Sequence, residues 1–346
     1  MKLIDGRMVV SLMLFVSPTV LSAPLMYVPA GDANELIVVD LQSNQVTKRI
    51  GELENAHGLA AVPSEDYLVA GSMNTLQTKG AKKQVKPTQM SDAEHKAHHS
   101  GKEPVAPSYI SIVHPEHGHV MRRIAIKDRT HHITVDPKGK YAVGTHSNMG
   151  GISVIDLNKM EAITSVKTGQ VSNFALFSHD GTRLYVSNAG SGTVTELDAT
   201  NWQITKDIQV GLGPEHMALS ADGQHLFVLN VIGGTVSEID LGKKKVARTF
   251  KVGKSPHGLA LAEESNNLFI SNKGSQTLTS INLSTTQNNS VSLAPSPYHV
   301  TYVDGLNKLY VSSRKQPKIW IINPNTLSVE GEINLQRGVA HQMVVK

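Results

Sequence analysis

Polar and apolar residues alternate in short runs along most of the chain, and Gly, Asp and Asn punctuate the runs. From Met217 the chain reads "MALSA", a DG turn, "HLFVLN", a GG turn, "TVSEIDL", a basic turn and "KVARTFKV". Alternation with a period of two puts every other side chain on one face of a strand, so this stretch predicts four half-buried strands. A helical period is absent almost everywhere. The pattern also recurs. "NAHGLAAVPSEDYLVAGS", "PEHMALSADGQHLFVLN", "SPHGLALAEESNNLFISN" and "SPYHVTYVDGLNKLYVSS" each carry a histidine at one position relative to the strands that follow.

Aligned on that position, the chain offers His57, His132, His216, His257, His299 and His341, with Asn173 of "VSNFALFSHDGTRLYVSN" in the remaining place. Successive spacings are 75, 41, 43, 41, 42 and 42 residues. Four strands repeated at this period mark the blades of a β-propeller. The two ends complete the count. "AHQMVVK" supplies one strand, and "LMYVPAGDANELIVVDLQSNQVTKRI" supplies three strands without a first. Joined, they make a seventh blade and leave no exposed edge at the seam. The sequence therefore predicts an all-β, seven-bladed β-propeller of four-stranded antiparallel blades. It spans residues 23–346 as a single domain, closed by pairing of its C-terminal strand with its N-terminal segment.

The segments "DGTRLYVSNAGSGTVTELD" (180–198) and "NKLYVSS" (307–313) resemble the repeats of the YVTN family of bacterial propellers. The resemblance runs over nearly the whole of residues 23–346. It implies the fold and leaves the activity open, because one fold hosts many functions.

In a propeller the first strand of each blade lines the central axis, so the column positions are expected to converge on one mouth of the channel. Two readings follow. In one, histidine is a habit of the repeat, bridging neighbouring blades with its one donor and one acceptor. In the other, the imidazoles gather round a metal ion, and imidazole suits copper, zinc, iron and nickel, with copper(II) highest in affinity. The ring of His57, His132, His216, His257, His299 and His341 resembles the propeller of nitrous oxide reductase, whose hub histidines hold a multi-copper cluster. The chain departs from it in having no cupredoxin domain, no cysteine, and Asn173 in place of a histidine. That resemblance implies copper, without nitrous oxide reduction. The propellers of cytochrome cd-type nitrite reductases and their maturation proteins are more loosely similar. They imply haem as an alternative cofactor, with His146 of "GTHSNMGGISVID" as ligand and Asn173 at the mouth. The chain has no C-x-x-C-H for covalent haem attachment. His131 adjoins the column.

The one long spacing, between His57 and His132, reflects an insertion at about residues 75–107 between the second and third strands of its blade. It holds six lysines against three acids and shows no strand pattern. Loops at that position emerge on the same face as the start of the first strand, so the insertion can lie across the ring. Its "MSDAEHKAHH" offers Met90, His95, His98 and His99. In a short helix the histidines would share a face as a chelating pair, and Met90 would suit copper(I). The alternative is a hydrophilic surface loop. "HPEHGH" (114–119) reads as a solvated turn on the opposite face.

The bulk properties change the picture in three ways. A net charge of +4 with few aromatics argues against nucleic-acid binding. The absence of cysteine excludes disulfides and thiolate ligands. Lys2 and Arg7, the apolar stretch from Met8 to Leu21, and the small residues Ser22 and Ala23 read as an export signal over residues 1–22. Its removal leaves no membrane span, and a periplasmic or secreted protein is expected. No G-x-S-x-G, H-E-x-x-H or phosphate-loop motif appears. The reading is an exported metal-binding propeller in copper handling or a redox role, served by a metal ion and a periplasmic redox or metal-delivery partner. A haem-binding propeller and a non-catalytic interaction scaffold are the alternatives.

Overall fold

The computed structural model describes residues 24–63, 65–74 and 107–346. The expected export segment and the inserted Met90, His95, His98 and His99 lie outside the described residues. What is described forms seven antiparallel sheets of four strands, as the repeat predicts. Blade 1 consists of Leu25–Ala30, Glu35–Asp40 and Gln45–Ile50, with Val344–Val345 as its innermost strand. Blades 2 to 7 are each consecutive in sequence and open with the inner strands Ala56–Ala61, Ile133–Val135, Ser172–Phe177, Pro214–Leu219, Pro256–Ala262 and Pro297–Val303. The insertion leaves blade 2 after Leu68–Ser72 and returns at Ser108–His114. Among the described residues no helix is long and apolar enough to cross a membrane.

Alternation decides where the core lies. Each sheet is apolar on both faces in its inner three strands, and the fourth strand turns outward, as in the mostly exposed Gln203–Gln209 and Lys245–Lys251. Apolar faces of adjacent sheets meet in seven clusters, one at each interface between blades. The cluster that closes the ring joins Met26, Val28, Ile37 and Val39 of blade 1 to Tyr310, Ile319 and Ile333 of blade 7.

Near the axis the ladders slip. In blades 2, 4, 5, 6 and 7 the pairing of the first and second strands shifts register between Ala56 and Leu59, Ser172 and Phe174, Pro214 and Met217, Pro256 and Gly258, and Pro297 and Val300. The residues passed over include His57, Asn173, His216, His257 and His299. A bulge leaves its extra residue out of the ladder and re-aims the side chain. Here that device turns the column residues toward the channel.

Candidate metal centre

In blades 4, 6 and 7 the bulges are held by hydroxyls on the second strands. Ser271 Oγ accepts from the Gly258 amide at 2.9 Å, Ser312 Oγ from His299 at 3.0 Å, and Ser187 Oγ from Phe174 at 3.1 Å. Thr145 Oγ1 does the same for His132 at 3.1 Å. The serine of each "YVSN"-like phrase therefore positions the neighbouring column residue. The glycine that follows two of the histidines has a packing reason. A Cβ on Gly258 would stand 2.5 Å from the Tyr298 carbonyl oxygen, and one on Gly58 would stand 2.6 Å from His132 Cα. Adjacent inner strands approach too closely for any side chain there.

Seven imidazoles form a closed circuit at the hub. Ring centroids are separated by 4.1 Å from His341 to His57, 4.4 Å to His131, 4.3 Å to His132, 4.8 Å to His216, 4.9 Å to His257, 4.9 Å to His299, and 6.2 Å back to His341. All six histidines of the predicted column are present, each at most 5% exposed. His131 is the seventh. Blade 4 offers Asn173 where the others offer histidine, and the doubled His131–His132 of blade 3 restores the count. Phe174 occupies the space beside Asn173, with its ring 5.1 Å from His132 and 5.0 Å from His216. Tyr298 stacks on His257 at 3.9 Å and nearly parallel.

Hydrogen bonds set the tautomers. His57 Nδ1 lies 3.1 Å from the His131 carbonyl oxygen and His132 Nδ1 lies 2.9 Å from that of Asn173. A carbonyl can only accept, so Nδ1 carries the proton in both and Nε2 keeps a lone pair. The blade-bridging role and the ligand role thus combine in one ring, because a donated Nδ1–H is what orients a metal-binding imidazole. Nε2 of His132, Nε2 of His299 and Nδ1 of His341 are buried without a hydrogen-bond partner among the described residues. Leaving such an atom unsatisfied costs about 1–3 kcal/mol.

The electrostatics disfavour charge on four of the ring histidines. Burial is the first cause that holds His57, His132 and His299 well below the usual imidazole range, and their histidine neighbours push the same way. His341 is pushed down to about 3, by burial first and then by the Arg314 charge. Neutral imidazoles are ready ligands because no proton has to leave. Glu215 is also buried at the hub, 3.4 Å from His257 Nδ1. Burial pushes its carboxyl up to about 8 against the pull of Lys273, so the contact near neutrality is that of an uncharged carboxyl.

Among the described residues, four groups of three donors have all their ligand atoms within 4.8 Å of one another. They are His57, His299 and His341; His57, His131 and His132; His132, His216 and His299; and Glu215, His216 and His257. His57, His132, His216 and His299 are each shared between two groups. The residues present therefore fit a metal ion, and because each histidine offers one ligand atom, groups that share a histidine compete for it.

His146 stands apart from this circuit. Its Nδ1 lies 2.9 Å from the Arg129 carbonyl oxygen and its Nε2 lies 2.8 Å from Ser153 Oγ. Both ring nitrogens are engaged within the protein, which suits a structural histidine better than a haem ligand. Asn173 is fully buried, and its carbonyl oxygen accepts from His132 and from Thr145. His114 and His119 bracket the hairpin turn between the third and fourth strands of blade 2, with His117 and His119 exposed. Glu215 and Tyr298 were outside the sequence reading. Each directly precedes a column histidine, and that adjacency was the available signal.

No protein-family model matches the chain, and no curated protein matches it by sequence. Among solved structures it is similar to hydrazine synthase of Kuenenia stuttgartiensis, at 16% identity and a TM-score of 0.68, over 91% of this chain and 100% of that one. It is also similar to the periplasmic gluconolactonase PpgL of Pseudomonas aeruginosa, at 14% identity and a TM-score of 0.71, over 93% and 98% of the two chains. A functionally unknown protein from Desulfotomaculum acetoxidans aligns at 11% identity with a TM-score of 0.70, over 93% and 99%. At such identities the similarity establishes the fold.

Proposed function

We propose that this protein is an exported copper-binding propeller whose imidazole ring holds one or more copper ions, in copper handling or a redox role. The observation that carries the reading is the closed circuit of seven buried imidazoles, with unpartnered nitrogens on His132, His299 and His341. Converging buried nitrogens left without a hydrogen bond are costly, and a metal ion satisfies several at once. Copper is favoured over zinc on two counts. The donors are imidazoles with no thiolate, a set on which copper(II) stands highest in the affinity order. A structural zinc site closes with four ligands, whereas this hub offers seven imidazoles in overlapping groups. Export rests on Lys2, Arg7 and the apolar stretch that follows them.

The test is metal analysis of protein purified from copper-supplemented cells, with and without the pair His132→Asn and His299→Asn. Asparagine is chosen because Asn173 already occupies a column position. The parent should carry at least one copper per chain. Copper at about a hundred times its Kd should stabilise the parent by about 2.7 kcal/mol. The double variant should fold, retain little copper and lose that stabilisation. Equal copper content in parent and variant would remove the three groups that contain His132 or His299 from consideration.

A further inference from the structure

On the face where the inner strands begin, a cavity of about 1220 Å³ lies between the loops of blades 4 to 7. Glu215 and His257 line it, so it reaches the imidazole circuit at their edge. Its lining is unbalanced in charge. Lys254, Lys273 and Lys315 contribute, and Glu215 is the one acidic residue among the described lining. Lys254 and Lys315 are exposed. The same cavity displays Leu212 at 67% and Ile232 at 75% exposure, two of the most exposed large apolar side chains described. The glycine-rich turns Gly190–Gly192 and Gly233–Gly234 keep its walls low in side-chain bulk.

Cationic and apolar groups facing one space call for a ligand with both characters. Lysine ammonium groups are point charges that accept an anion in varied orientations, and no arginine among the described lining residues demands bidentate geometry. A small inorganic anion would leave Leu212 and Ile232 in water, and an uncharged apolar molecule would make no use of the charges of Lys254 and Lys315. We infer that the cavity binds an organic carboxylate with an aliphatic or aromatic body, its charge met by Lys254 and Lys315 and its body covering Leu212 and Ile232. Binding itself does not depend on a metal. Only the placing of that ligand beside a metal at the Glu215–His257 edge rests on the function proposed above.

The experiment is titration calorimetry on the metal-free, full-length protein with octanoate, octanamide, acetate and inorganic phosphate. Octanoate should bind at least tenfold more tightly than octanamide or phosphate, and added salt should weaken it. Replacing Lys254→Gln and Lys315→Gln together should weaken octanoate at least tenfold. The pair Leu212→Ser and Ile232→Ser should weaken octanoate and leave acetate unchanged. The assignment is overturned if octanoate and octanamide bind alike, if phosphate binds as well as octanoate, if nothing binds, or if the lysine pair changes nothing. Because no metal is present, a failure of the copper reading leaves these outcomes untouched.

Discussion

At the scale of single residues, the hub histidines tie stability to pH in the metal-free protein. An imidazole titrates near 6.5 in the unfolded chain, and burial holds His57, His132 and His299 well below that in the fold. Below pH 6.5 the unfolded chain therefore takes up protons that the native ring refuses, and stability must fall as pH falls. For His341 the window runs from 6.5 down to about 3. Each such histidine contributes a slope of up to about 1.4 kcal/mol per pH unit inside its window. Urea unfolding of metal-free protein at pH 7.5, 6.5 and 5.5 should show a slight gain down to 6.5, where buried Glu215 takes up a proton that the unfolded chain does not. A steep loss should follow as the histidines outweigh it. His299→Asn should make the loss shallower. A stability that stays level from 7.5 to 5.5 would mean the ring is already protonated or solvated. A second residue-scale expectation concerns Gly258. A methyl group there meets the Tyr298 carbonyl oxygen, so Gly258→Ala should destabilise by about 1–3 kcal/mol through overpacking. Thermal melting of the metal-free variant measures it, and an unshifted melt would show that the inner strands can separate freely.

At the scale of the element, the bulges at the start of five inner strands make the site. In blades 4, 6 and 7 an N–H at the bulge is held by a buried hydroxyl from the second strand. Ser312→Ala leaves the His299 amide without that acceptor and should cost about 1–3 kcal/mol. Ser312→Thr should recover most of the loss, because Thr145 performs the same task for His132. If the alanine variant matches the parent in melting temperature and copper affinity, the hydroxyls do not hold the bulges. This element also separates what the sequence reveals from what it hides. The column of histidines is legible because a propeller repeats its geometry, so equal spacing implies equal position. Strand count, blade count and closure follow from the same periodicity. The bulge is not legible, since one unpaired residue leaves the alternation of its neighbours nearly unchanged. Nor is the seventh ligand. One histidine per blade is what a repeat suggests, and only the missing imidazole at Asn173 gives the doubled His131–His132 a purpose. The cavity lysines come from turns whose composition looks like ordinary solvated loop, and Glu215 stands in an inner strand where nothing but its adjacency to His216 marks it.

At the scale of the whole molecule, the hub exists only while the ring is closed, because its donors come from six of the seven blades. Closure depends on few groups. Val344 and Val345 pair with Tyr27 and Met26, the Leu25 and Lys346 backbones exchange hydrogen bonds at 3.0 and 2.9 Å, and the His341 amide donates to the Pro29 carbonyl oxygen at 3.0 Å. Behind them lie Ala340 and Met343, which belong to the apolar cluster between blades 7 and 1. Removing residues 341–346 strips the inner edge of blade 1 and opens that cluster to water. An exposed edge beside an exposed apolar face favours pairing between chains. The truncated protein should therefore aggregate or melt far below the parent, by a margin larger than any single substitution above. The control is His341→Asn, which removes the imidazole and keeps the strand. It should melt close to the parent while losing copper affinity, so that loss of the ligand and loss of the seam are read separately. If the truncation melts with the parent, the blades hold together through their lateral clusters alone, and the C-terminal strand serves only to carry His341 into the ring.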